Sequence, residues 1–255
     1  MTARKAIYLK DLTVALVVKE LKSKYKSATF GFLWILINPL LQMIVLTIVF
    51  SIFLKINIKN YPLFVFSGLL PWMFFSLSLQ SGTSSLIANR DLIKKLNFPR
   101  ELLPISSVLA HLSTFILAMV LLALFVGVVF GLKFSFFLLI PVIALMSILA
   151  IGITLLLSSF DIYYRDVSFI LQSALLVWFY ITPILYPTAL VPENFLALYN
   201  LNPMVGIITV FQSIFLKTNI VDWGALTISV FETMILLLVG FFVFKKRSKY
   251  FADWI

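Results

Sequence analysis

The sequence has no cysteine, a single histidine and few charges: 12% of its 255 residues are Asp, Glu, Lys or Arg. Without cysteine there is no disulfide, no thiolate metal site and no cysteine nucleophile. The lone His111 has beside it neither the companion ligands of a metal centre nor the nucleophile or acid of a hydrolase, so a structural role is expected. No catalytic and no metal-binding residues are expected anywhere in the chain. A soluble domain is about a quarter charged, so the shortage of charge excludes a water-exposed fold of the usual kind. None of the nine glycines falls in a G-x-x-x-x-G-K-[ST] phosphate loop. If ATP and magnesium drive this protein, a separate ATPase chain binds them.

What is present is hydrocarbon. Hydrophobic residues make up 62% of the chain and aromatics 16%, and several apolar runs exceed the roughly 20 residues that cross a bilayer as helix. The sequence predicts an all-α integral membrane protein forming a single domain over 1–255, with six spans at 30–54, 63–83, 103–131, 135–159, 167–187 and 225–244. About 30 mixed residues precede the first apolar run, which contains Asn38, Pro39 and Gln42; a cleavable signal sequence is not expected, and the first span is expected to be retained. Between the last two spans, Met204 to Leu216 would reach only about 20 Å as helix against a hydrocarbon core of about 30 Å. Pro183, Pro187, Pro192 and Pro203 break this region, so 188–217 is expected to form two short re-entrant helices at the outer surface.

Orientation follows from the basic residues. Of the 20 Lys and Arg, 16 fall before the first span, in the 84–102 loop, in the 160–166 turn or after the last span. The positive-inside rule makes those ends cytoplasmic, with both termini inside and Lys55, Lys59, Lys133 and Lys217 outside. The net charge of +10 is thereby spread between apolar runs rather than over a face that would suit nucleic acid.

Residues 1–29 carry Val14, Val18, Leu21 and Tyr25 at helical spacing with Lys19, Lys22 and Lys26 on a neighbouring face, the pattern of an amphipathic helix on the membrane interface. Residues 84–102 place Leu92, Ile93, Leu96 and Phe98 among Arg90, Asp91, Lys94, Lys95 and Arg100, ahead of Pro99 and Pro104. A short amphipathic helix there would offer an apolar edge to a soluble partner or lie on lipid. Asp161, Arg165 and Asp166 crowd a tight turn, and Glu232 is a carboxylate well inside a span, expected to face protein or water. Phe64, Phe66, Trp72, Phe74, Phe75, Trp178, Phe179, Tyr180 and Tyr186 are read either as interfacial girdles or as a lining along which sugar rings slide. Gly127 and Gly131 make a weak G-x-x-x-G signal.

The run LKSKYKSATFGFLWILINPLLQMIVLTIVFSIF at 21–53, FPRELLP at 98–104, RDV at 165–167, WFYITPILYP at 178–187 and NP at 202–203 together resemble the ABC-2 type permeases that export polysaccharides. The order is right, and the likeness is strongest to the O-antigen permeases, with teichoic acid and capsule exporters close by. The resemblance implies a homodimer of six-helix subunits in a bacterial inner (plasma) membrane, each joined to one copy of a nucleotide-binding ATPase, with a channel for a polyprenyl-pyrophosphate-linked glycan at the subunit interface. It assigns ATPase coupling to Arg90, Asp91, Leu92, Ile93, Lys94, Lys95, Leu96, Phe98, Pro99 and Arg100. The substrate entrance falls to Lys22, Lys24, Tyr25, Lys26 and Arg165, and the channel and outer gate to Trp34, Trp178, Tyr180, Pro183 and Tyr186. Competing readings are a small-lipid or drug exporter of the same superfamily and, in another class, a membrane enzyme acting on polyprenyl phosphates. The enzyme would require an acid, base or metal constellation that the sequence lacks.

Overall fold

The computed structural model describes residues 3–25, 33–55, 58–131, 137–216 and 221–254. Every described element is helical. An N-terminal helix α1 (Ala3–Tyr25) precedes α2 (Trp34–Thr47), which runs on without interruption into a π-helical end at Ile48–Phe53. Then come α3 (Tyr61–Ala88), the short α4 (Arg90–Lys95), α5 (Leu102–Phe130) and α6 (Leu139–Asp161). The order closes with α7 (Val167–Tyr180), α8 (Glu193–Tyr199), α9 (Pro203–Leu216), α10 (Trp223–Arg247) and α11 (Phe251–Trp254). Five segments are long and apolar enough to cross a membrane: α2 with its π-helical end, α3, α5, α6 and α10. The shorter apolar helix α7 falls at the fifth predicted span, and α8 and α9 form a pair bent by 103° between it and α10.

The fifth segment differs from expectation. Helix α7 stops at Tyr180 after 14 residues, about 21 Å of rise, whereas the sequence predicts a span to residue 187. Pro183 explains the stop: its missing N–H and its ring oppose a helix continuing through 179–183, and the residue before it is pushed out of helical geometry. Hydropathy alone does not register this, because 181–187 are as apolar as the helix they follow. In the 84–102 loop the first residues belong to α3, and the separate helix shrinks to Arg90–Lys95.

The bundle is built around α3 and α9. Phe75, Leu79, Met146, Leu149, Phe211 and Ile208 are fully shielded and join α3, α6 and α9 in one core. Close helix contacts depend on glycine, as expected where lipid offers no hydrophobic incentive for helices to associate and tight backbone packing must supply it. Gly152 of α6 lies against Gly240 of α10, and a Cβ on Gly152 would sit 2.7 Å from the Leu237 amide nitrogen. At Gly206 of α9 a Cβ would sit 2.6 Å from the Ala225 carbonyl oxygen of α10. A second core lies at the end that the basic residues mark as cytoplasmic: Leu16, Leu86, Ile93, Phe98, Leu103, Ile162, Phe244 and Phe251 meet there. It ties α1, α4, the start of α5, the α6–α7 turn and the C-terminal tail into one platform.

Candidate functional site

Three regions carry the residues singled out in the sequence. The first is the bend after α7, where 181–187 leave helical geometry inside the protein. At membrane depth every freed carbonyl requires a donor from the protein itself or from trapped water. Asn202 Nδ2 donates to the Ile181 carbonyl at 3.3 Å, Gln212 Nε2 to Pro183 at 2.6 Å, and the Tyr61 hydroxyl to Leu185 at 2.8 Å. The Tyr186 hydroxyl donates back to the Tyr180 carbonyl at 2.9 Å. Asn202 is the hub. Its Oδ1 accepts from Trp178 Nε1 at 2.7 Å and from the Met204 amide at 3.0 Å, which caps α9, while Nδ2 also reaches Thr182 Oγ1 at 3.0 Å. Gly68 leaves room for this: a Cβ there would press on Gln212 Nε2 and on the Ile184 backbone.

Aromatic packing fixes the same bend to α3. The Trp178 ring meets Phe75 edge-on at 5.2 Å and Trp72 at 6.3 Å, and Phe179 lies 5.8 Å from Trp72. Trp178 is therefore a half-buried structural wedge within the subunit, and Pro183 is buried. Tyr180 is exposed and Tyr186 half-buried, at the edge of the same knot. Trp34 stands apart at the start of α2, lining a cavity of about 110 Å³ together with Asn38, His111 and Thr114. His111 Nε2 shares a 2.9 Å hydrogen bond with Ser81, which gives it a structural place between α3 and α5.

The second region is the cytoplasmic platform. Ile93 of α4 and Phe98 just beyond it are buried in the platform core, and Leu92 is half-buried against it. Most of the apolar edge expected to face a partner is thus turned inward, and what faces outward is Arg90, Asp91, Lys94, Lys95 and Leu96, with Leu96 55% exposed. All five are exposed. Pro99 and Arg100 are half-buried, and Arg100 donates to the Ser248 carbonyl of the tail. Lys19 of α1 donates to Asn89 Oδ1, joining α1 to the α3–α4 corner. The Arg247 guanidinium lies 4.0 Å from the Phe160 ring centre, and Trp254 packs on Tyr163 at 5.2 Å. Ser168 donates to Asp161 Oδ1 at 2.7 Å across the turn into α7. Lys22 and Arg165 are exposed. Of Lys24 and Tyr25 only the helical backbone is described, and Lys26 lies outside the described residues.

The third region consists of two apolar faces with no cover. On α2, Leu41, Val45 and Ile52 are exposed; on α7, Phe169, Ile170, Val177 and Tyr180 are. Glu232 of α10 is half-buried, with Oε2 shielded and without a hydrogen-bond partner. Among the described residues no group of three or more His, Cys, Asp or Glu could hold a metal ion.

Asn202, Gln212 and Tyr61 are the residues that single-site reasoning from the sequence did not assign. Asn before Pro203 is the signature of a helix start, and a lone Gln in the apolar run 204–216 signals a buried polar contact; Tyr61 gives no such sign.

Comparison with known proteins gives a consistent answer. A family model described as ABC-2 type transporter matches residues 11–216. The O-antigen export system permease protein RfbA of Myxococcus xanthus is 34% identical over 254 residues, spanning 98% of this chain and 97% of that protein. RfbA of Klebsiella pneumoniae is 33% identical over 249 residues, spanning 96% and 95%. The polysialic acid transport protein KpsM of Escherichia coli is 23% identical over 258 residues, spanning 97% and 98%.

Proposed function

Since the chain belongs to the ABC-2 type transporter family, we propose that it is the channel-forming permease of an exporter that moves lipid-linked O-antigen or a closely related polysaccharide across the inner membrane. The observation that carries this reading is end-to-end similarity, at a third identity, to permeases named for O-antigen export. Two copies of the chain and two copies of a separate ATPase make up the working unit.

In this reading the uncovered faces of α2 and α7 meet their counterparts in a second copy and line the path of the polymer. The outward surface of α4, with Arg90, Lys94, Lys95 and Leu96, engages the ATPase. Because Ile93 and Phe98 are rooted in the platform core, a push on α4 is passed to Ile162 and Tyr163, the residues that lead into α7. Lys22 and Arg165, exposed on the cytoplasmic side, attract the pyrophosphate; Lys24, Tyr25 and Lys26 complete that entrance. The bend at 181–187, with α8 and α9, forms the outer gate. Packed interiors switch between discrete arrangements rather than deforming continuously, which is how a small displacement at α4 becomes an opening.

The test is replacement of the permease gene in a strain whose O-antigen reaches the surface through an exporter of this family, together with the cognate ATPase of this chain. Surface polymer is expected to return. Restored efflux of drugs or small lipids, with polymer still trapped inside, would refute the substrate assignment.

A further inference from the structure

A groove of about 440 Å³ opens on the outer half of the bundle between α2, the start of α3 and α5. That volume lies within the roughly 300–1,000 Å³ of pockets that hold small ligands. Its walls are hydrocarbon, including Leu36, Leu40, Met43, Phe66, Leu121 and Phe125, and Asn60 stands at its outer end.

Two observations separate this groove from ordinary lipid-facing surface. First, Lys59 adjoins Asn60, and both Lys59 and Lys55 are exposed. They are two of only four basic residues outside the cytoplasmic ends, where the positive-inside rule disfavours them. Second, the chain around them is irregular. The end of α2 is π-helical at Ile48–Phe53, and Lys55 and Asn60 hold left-handed backbone at φ 53° and 57°. Left-handed backbone in non-glycine residues is costly, and π-turns and such strain both gather at functional positions. All three irregularities fall in the stretch that holds the two lysines and ends at Asn60, on the wall of the groove.

A second copy of the chain is a poor occupant. At 3.6 residues per turn, Leu36, Leu40 and Met43 lie on the side of α2 opposite Leu41 and Val45, so a subunit seated on the uncovered α2 face would leave the groove open to the membrane. We propose that the groove holds an acyl chain of an anionic phospholipid from the outer leaflet, whose headgroup phosphate is bound by Lys55 and Lys59.

The experiment is native mass spectrometry of the full-length protein, extracted with its ATPase from bilayers of mixed phosphatidylglycerol and phosphatidylethanolamine. Wild type is expected to retain one phosphatidylglycerol per permease chain after delipidation. Leu121→Trp, which fills the groove, is expected to lower that retention several-fold, whereas Leu124→Trp on the exposed side of α5 leaves it unchanged. The pair Lys55→Gln and Lys59→Gln is expected to abolish the preference for the anionic lipid. The chain has no native cysteine, so Leu121→Cys gives a clean cross-linking probe. Equal retention in the two tryptophan variants, no bound lipid in wild type, a disulfide between two copies of the Leu121→Cys variant, or stoichiometric displacement by polyprenyl pyrophosphate would each overturn the assignment.

Discussion

The indole N–H of Trp178 donates to Oδ1 of Asn202 across 2.7 Å, joining the end of α7 to the cap of α9. Asn202 also serves the Ile181 carbonyl, the Thr182 hydroxyl and the Met204 amide, so one amide holds together the two sides of the bend. Asn202→Ala removes all four contacts and leaves the partly shielded Trp178 indole N–H and the Met204 amide without this acceptor. A loss of about 1–3 kcal/mol is expected, read as a lowered melting temperature of the detergent-solubilised protein. Trp178→Phe, which keeps the ring contacts with Phe75, should cost less.

Gly152 and Gly240 set the separation of α6 and α10. A side chain at either position forces the backbones apart, and overpacking of this kind costs about 1–3 kcal/mol. Gly240→Ala is expected to reduce the yield of monodisperse protein in size-exclusion chromatography and Gly152→Leu to reduce it further; normal elution of Gly152→Leu would contradict the close crossing.

Leu96 and Phe98 are two residues apart and face opposite environments, 55% and 9% exposed. Phe98→Asp puts a carboxylate into the platform core and is expected to abolish folding. Leu96→Asp should leave a stable protein that binds its ATPase weakly and exports poorly. A Leu96→Asp protein that folds, assembles and exports at the wild-type rate would remove α4 from the coupling surface.

Arg247 stacks on Phe160, and Phe251 is fully buried against Phe244. The tail therefore clamps the turn that leads into α7. Arg247→Ala is expected to cost about 0.5–2 kcal/mol as the cation–π contact is lost, and Phe251→Ala about 3–5 kcal/mol through the cavity it leaves. Limited proteolysis should then cut near the α6–α7 turn earlier than in wild type.

The long helices are legible in the sequence because they repeat one physical statement, an apolar run of bilayer length, and α3, α5, α6 and α10 follow it. The bend after Tyr180 is not, since Ile181, Ile184 and Leu185 are as apolar as a span and only the packing reveals that the carbonyls of Ile181, Pro183 and Leu185 are served by Asn202, Gln212 and Tyr61. Likewise the amphipathic pattern of 84–102 announces an apolar face without saying what covers it; in the fold, Ile93 and Phe98 are covered by the chain's own platform. Asn202 stands in a recognisable Asn-Pro pair, yet its role as a hub depends on Trp178, 24 residues away.

Whether this permease works with a separate ATPase on a lipid-linked glycan is decided by isolating the tagged chain from its host and measuring ATP hydrolysis in nanodiscs with and without that glycan. An ATPase present in equal amount, with a turnover that the glycan changes, is the expected result. A chain that purifies without an ATPase and chemically modifies polyprenyl phosphate would instead be an enzyme, and the exporter assignment would fall.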